Sequence, residues 1–226
     1  MSTQDRLTRY LLKCGLAPAV FILVIMIEGF LRPHYDWIHH WGSELSLGPF
    51  GWIQAMNFVV TGAATIAFAF GLRRVLRPGR GSLSGPLLTG LFGLSLIVAG
   101  AFTIDPQPGY APPGTVAGQE TLHGAIHDLN AFPCFAALTA AVLVFSYRFA
   151  GERRWGGLAY SLATAMIVLA TFVVSGMLFT NALDNGTLPE SLHGLVQRIT
   201  IAAGFGWFSV FAVRSLRMSA NVATPR

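Results

Sequence analysis

Residues 120–147 read E-T-L-H-G-A-I-H-D-L-N-A-F-P-C-F-A-A-L-T-A-A-V-L-V-F-S-Y. After Asp128 no charged side chain follows until Arg148, a run close to the roughly 20 residues that carry a helix across a bilayer core. The first nine residues are of another kind, with His123 and His127 four apart among Glu120, Asp128 and Thr121. A histidine one turn inside a membrane helix is costly unless something uses or satisfies it. The opening recurs as E-S-L-H-G at Glu190–Gly194, again heading a long apolar run. This doubling predicts two helices that run the same way, with His123 and His193 at equivalent depth.

Composition extends the reading to the whole chain. Of 226 residues, 53% are hydrophobic and 11% charged, and the mean hydropathy is +0.57. A soluble domain carries about 25% charged residues. Six apolar stretches are predicted to span a membrane, at about Gly15–Leu31, Trp52–Leu72, Ser84–Ile104, Leu122–Tyr147, Gly156–Thr180 and Leu192–Leu216. The fold class expected is therefore all-α, a polytopic six-transmembrane-helix bundle forming a single domain over residues 1–226. The first stretch follows Arg6, Arg9 and Lys13 as a signal peptide would, but Leu31-Arg32-Pro33-His34 offers no small-residue cleavage site, so a retained helix is expected. Cys14 and Cys134 are poorly placed to pair, and no disulfide framework is implied.

Basic residues set the expected orientation. Thirteen of the 15 Lys and Arg fall in the N-terminal tail, the loops after the second and fourth segments, and the C-terminal tail. Only Arg32 and Arg198 lie elsewhere. Both termini are expected in the cytoplasm of a cell whose plasma membrane holds the protein. The net charge of +5 then reflects orientation and contact with anionic lipid, not a nucleic-acid partner. All six histidines and eight of the ten acids gather at the opposite, extracytoplasmic end. The positive-inside bias places Arg and Lys but does not require this gathering, so a functional site is expected there.

The second, fourth and sixth segments enter from that end and carry their polar residues in the first turns: Gln54 and Asn57; His123, His127, Asp128 and Asn130; His193, Gln197 and Arg198. Their N-termini bring partial positive charge, with Thr121 and Ser191 as caps, and favour anionic groups. Gln54, Asn57, His123, His127, His193 and Gln197 are the candidate ligand-binding residues of a polar cup. The Pro- and Gly-rich loop Asp105–Gln119 is a candidate lid, and Arg32–Gly51, with Trp37 and Trp41 inside it and Trp52 directly after, reads as an interfacial segment.

The i, i+4 spacing of His123 and His127 puts two imidazoles on one helix face and suits a shared metal. His193 as third ligand and Asp105 as fourth ligand or orienting group would complete a candidate zinc site. Asp105, Glu44 and Glu120, with Glu190, are then the candidate catalytic carboxylates. Aligning the two repeats matches Asp128 with Arg198 and predicts a structural ion pair, because an unpaired arginine at that depth is costly. Two functional readings follow. In the first, the cup binds a lipid headgroup or small amphiphile, so that membrane lipids are its partners. In the second, a metal-dependent hydrolase cleaves a lipid amide or ester.

Four stretches, G-S-E-L-S-L-G (Gly42–Gly48), G-A-F-T-I-D-P (Gly100–Pro106), L-H-G-A-I-H-D (Leu122–Asp128) and L-H-G-L-V-Q-R (Leu192–Arg198), resemble the domain of unknown function 998 family. Its members are mostly prokaryotic six-helix integral membrane proteins. The resemblance covers nearly the whole chain and implies fold and membrane location, but no activity.

Overall fold

Proline and glycine set the breaks between helices. The computed structural model describes residues 2–222, with side chains up to Ser219, and among them it contains helices and no strand. The first span combines α1 (Thr3–Lys13) and α2 (Ala17–Leu31), joined by a 3-10 turn at Cys14–Leu16. Pro18 has no N–H for the Cys14 carbonyl, so the backbone tightens and the Ala17 N–H takes that carbonyl instead. The helix starts well before the expected Gly15. Ser2 and Asp5 form a capping box that nucleates α1 ahead of the apolar run.

The other five spans fall where expected, with ends moved by a few residues: α3 (Gly51–Val75), α4 (Ser84–Ala101), α5 (Leu122–Gly151), α6 (Trp155–Asn185) and α7 (His193–Val222). All six are long and apolar enough to cross a membrane. Cys14 and Cys134 are both free thiols.

Each helix packs on the next in the chain, and α7 returns to α1 and α2. The closest crossing is α3 on α4. A β-carbon on Gly62 would lie 2.5 Å from the Gly93 carbonyl oxygen, and one on Gly93 would lie 2.7 Å from that of Gly62. The two backbones touch there, as small residues in membrane helices allow. Gly100 does the same against the Ala55 carbonyl at 2.6 Å, whereas Gly90 and Gly206 are not crowded.

The core is divided along the bundle. Near the arginine-rich end it is solid with rings: Phe92 stacks on Phe208 at 5.2 Å, and Phe145 meets Phe211 at 4.4 Å. Trp207 is fully buried there and donates its indole N–H to Ser161 Oγ at 3.0 Å. At that end Arg148 pairs with Glu152 at 2.7 Å and donates to the Leu76 carbonyl at 2.9 Å. Above Phe205, toward the histidine-bearing end, the packing opens into a cavity.

Candidate functional site

The histidine-bearing end is closed by the chain between α2 and α3, which is folded into the bundle. Residues 42–46 form a 3-10 turn that is buried throughout. Two arginines hold this loop by its backbone. Arg32 pairs with Glu28 at 3.0 Å and donates to the carbonyls of Leu47 (2.9 Å) and Leu45 (3.0 Å). Arg198, only 7% exposed, donates to the carbonyls of His40 (3.0 Å) and Gly194 (2.9 Å) and to the Tyr35 hydroxyl. The loop also bonds α7 directly: Leu195 N–H to the Ile38 carbonyl at 2.8 Å, and Gly42 N–H to Gln197 Oε1 at 2.8 Å.

Glu44 sits inside this turn. One carboxylate oxygen accepts the Trp41 N–H at 2.7 Å, and the other is buried with no partner. Burial pushes its carboxyl up to about 8, against the opposing pull of the Trp41 N–H and of Arg198. Burial likewise raises the phenols of Tyr35 and Tyr110 and lowers the His40 imidazole. These three rings pack together, with Tyr110 5.3 Å from Tyr35 and 5.1 Å from His40, so the loop between α4 and α5 locks onto the first one.

The doubled L-H-G has a geometric basis in its glycine. Asp105 accepts the Thr121 N–H and hydroxyl, both at 2.6 Å, and Thr121 in turn caps α5 by accepting the Gly124 N–H. The Asp105 carboxylate stands where a side chain at 124 would be. In α7 the carbonyls of Ile38 and His40 stand where a side chain at 194 would be. Each glycine therefore admits a loop against a helix start. The histidines are not equivalent: His123 is exposed against Phe102, while His193 is 3% exposed between Trp41 (4.6 Å) and Phe179 (5.3 Å).

This arrangement alters three expectations. His123, His127, His193 and Asp105 are not brought together, and among the described residues no three His, Cys, Asp or Glu form a metal-binding group. Asp105 is committed to capping α5, and His127 Nδ1 bonds the Phe102 carbonyl at 2.7 Å and that of Ala99 at 3.2 Å. No ion pair between Asp128 and Arg198 forms among the described residues: the Nη groups of the guanidinium go to the His40 and Gly194 carbonyls and to Tyr35. Of the candidate carboxylates, Glu44 is enclosed in its turn, while Glu120 and Glu190 are exposed. Ser191 does not act as expected either; its hydroxyl bonds the Leu178 carbonyl at 3.3 Å and pairs with His193 Nδ1 at 3.0 Å.

A cavity of about 610 Å³ lies beneath the loop, between α5, α6 and α7. Its floor is Phe21, Phe58, Leu96 and Phe205, and its roof is Trp41, Gly42, Ser43 and Gln107. Polar groups gather near that roof: His127, Asp128, Asn130 and Gln197. Phe132, Val173 and Met177 line it and are also exposed, so it opens sideways between α5 and α6. Of the six candidate ligand-binding residues, His127 and Gln197 reach this cavity. Gln54 is fully buried and accepts from Asn57, which also donates to the Phe21 carbonyl and so links α3 to α2. Tyr35, Trp41 and Gln107 are the residues that pattern reading missed. The one signal for Tyr35 was an arginine in a membrane helix that needed a partner.

Residues 16–214 match the family described as Protein of unknown function (DUF998). The chain belongs to this family. No curated protein and no solved structure matches it. In this DUF998 protein the four stretches that carried the resemblance all lie at one end of the bundle. Gly42–Gly48 contains the buried turn, Gly100–Pro106 brings the capping Asp105, and the other two are the starts of α5 and α7.

Proposed function

We propose that this DUF998 protein binds a membrane amphiphile in the cavity between α5, α6 and α7. The chain of the occupant lies on Phe58, Phe205 and their neighbours, and its head lies beside Gln107, His127, Asp128 and Gln197. The observation that carries this reading is a cavity of about 610 Å³ with an apolar floor and with Gln107, His127, Asp128 and Gln197 gathered toward the other end. That volume falls in the range of small-molecule sites, roughly 300–1,000 Å³. The distribution of Lys and Arg supports a plasma-membrane orientation with both termini in the cytoplasm and the cavity in the outer leaflet. The metal-dependent alternative has no shared ligand set among Asp105, His123, His127 and His193 to support it.

Gly176 lines the cavity, and a β-carbon added there meets nothing within 4 Å. Gly176→Phe is expected to fill the space without disturbing the bundle. Native mass spectrometry of protein extracted in a mild detergent should find a co-purified amphiphile on the wild type and little on the variant, at equal Tm. Equal occupancy of both, or none on the wild type, would overturn the proposal.

A further inference from the structure

The polar end of the cavity is chemically one-sided. None of its lining residues is Lys or Arg, and Asp128 is the only acid. Arg198 does not line it: its Nη groups donate to the carbonyls of His40 and Gly194 and to Tyr35, and its buried Nε–H has no partner among the described residues. The Asp128 carboxylate itself makes no hydrogen bond or ion pair among the described residues. Asp128 is exposed, so the carboxylate is open to a ligand, and an acid without a protein partner in a membrane helix is by default a candidate functional group.

Its neighbours add acceptors. His127 Nδ1 faces two carbonyls, which can only accept, so Nδ1 carries a proton, and in that tautomer Nε2 is an acceptor. Asn130 turns its amide nitrogen to the Ser95 carbonyl at 2.9 Å, and Gln107 turns its own to the Asp105 carbonyl at 3.1 Å. Each keeps its amide oxygen as an acceptor, together with its second N–H. Against these stand neutral donors: the Gln197 amide nitrogen, the Trp41 indole N–H, the Ser43 hydroxyl and the second amide hydrogens of Asn130 and Gln107.

We infer that the head taken by this cavity is a cationic hydrogen-bond donor, a primary amine on a long apolar chain, and not a phosphate or carboxylate. Sequence alone had favoured anions, because three helix N-termini point to this end. In the structure the N-terminus of α5 is capped by Thr121 and Asp105, and a negative side chain reaches the cavity in place of free N–H groups. The inference rests on the amphiphile-binding reading and sharpens it.

Hexadecylamine, hexadecanol and hexadecanoic acid share one chain length and differ in the head. Each would be titrated into purified wild type and Asp128→Asn in nonionic mixed micelles, with bound ligand counted by native mass spectrometry. The wild type should hold the amine about tenfold or more tightly than the acid, as a charge-assisted bond warrants. Asp128→Asn should erase that preference and leave the alcohol unchanged. Acid bound as well as amine by the wild type, or an amine preference that survives in the variant, overturns the head-group inference while the cavity reading stands. Failure of all three to bind removes both.

Discussion

Gly194→Ala adds one methyl group at the point where the loop meets α7. The new carbon would lie 2.8 Å from the Ile38 carbonyl oxygen and closer still to that of His40. Carbon–oxygen contacts settle at about 3.3–3.6 Å, so both carbonyls must retreat by at least about 0.5 Å. The His40 carbonyl accepts from Arg198 at 3.0 Å, and this shift takes the bond to the edge of what counts as one. Overpacking costs about 1–3 kcal/mol. Loss of a hydrogen bond to a buried charged group costs about 1.5–3 kcal/mol more. Alanine returns at most about 1 kcal/mol through helix propensity. The net expectation is destabilisation by roughly 2–4 kcal/mol, or about 5–15 °C in Tm for a protein of this size. Gly206→Ala, in the same helix with nothing within 4 Å of the added carbon, is the matched control and should hold or raise Tm. Thermal unfolding of both variants in one detergent, followed by intrinsic fluorescence, makes the comparison. If Gly194→Ala melts with Gly206→Ala, the loop is not seated against α7 as described.

Arg198→Lys keeps the charge but loses the planar fork that reaches two carbonyls and Tyr35, and should cost about 2–3 kcal/mol in detergent unfolding. Asp128→Asn should stay within about 0.5 kcal/mol of wild type; equal losses in the two variants would restore the ion pair that the structure lacks. Glu44 has a folded-state pKa of about 8, above its ordinary value, so the folded protein binds the extra proton. The stability this group contributes is greatest below about pH 4.5 and falls as pH rises through 8, by at most about 1.4 kcal/mol per unit. His40, lowered by burial, works the other way and loses stability below its ordinary range. Tm profiles from pH 5 to 9 should therefore be flatter on the alkaline side in Glu44→Gln, and identical profiles would refute the buried carboxyl. For orientation, Val116→Cys should react with an impermeant maleimide added to intact cells and Trp155→Cys should not; the reverse pattern would invert the topology.

The six spans were legible because each is a run of apolar residues long enough to show in the sequence by itself. The roof of the cavity was not. Trp41 looks like an interfacial anchor by composition, yet it packs inward on His193 and Phe179. Glu44 looks like a solvated acid, yet it is 1% exposed. Hydropathy reads each stretch alone and does not register a polar loop whose burial depends on bonds made far along the chain. The partner of Arg198 was hidden for a related reason. Its acceptors at positions 40 and 194 are main-chain oxygens, which every residue possesses, so no side-chain pattern points to them. The repeat was visible, but its histidines drew attention from the glycine beside them. Only the approach of Asp105 to Gly124, and of Ile38 and His40 to Gly194, shows which member of the motif the geometry requires.

The sideways opening past Phe132, Val173 and Met177 decides how any occupant must be measured. A molecule that passes between α5 and α6 never leaves the bilayer, so its activity is set by mole fraction among neighbouring lipids and not by molarity in water. Diluting the buffer at a fixed lipid ratio should leave occupancy unchanged, whereas adding inert lipid at constant ligand should empty the cavity. A site that looks weak in aqueous units can thus remain filled wherever its ligand is an ordinary minor component of the membrane.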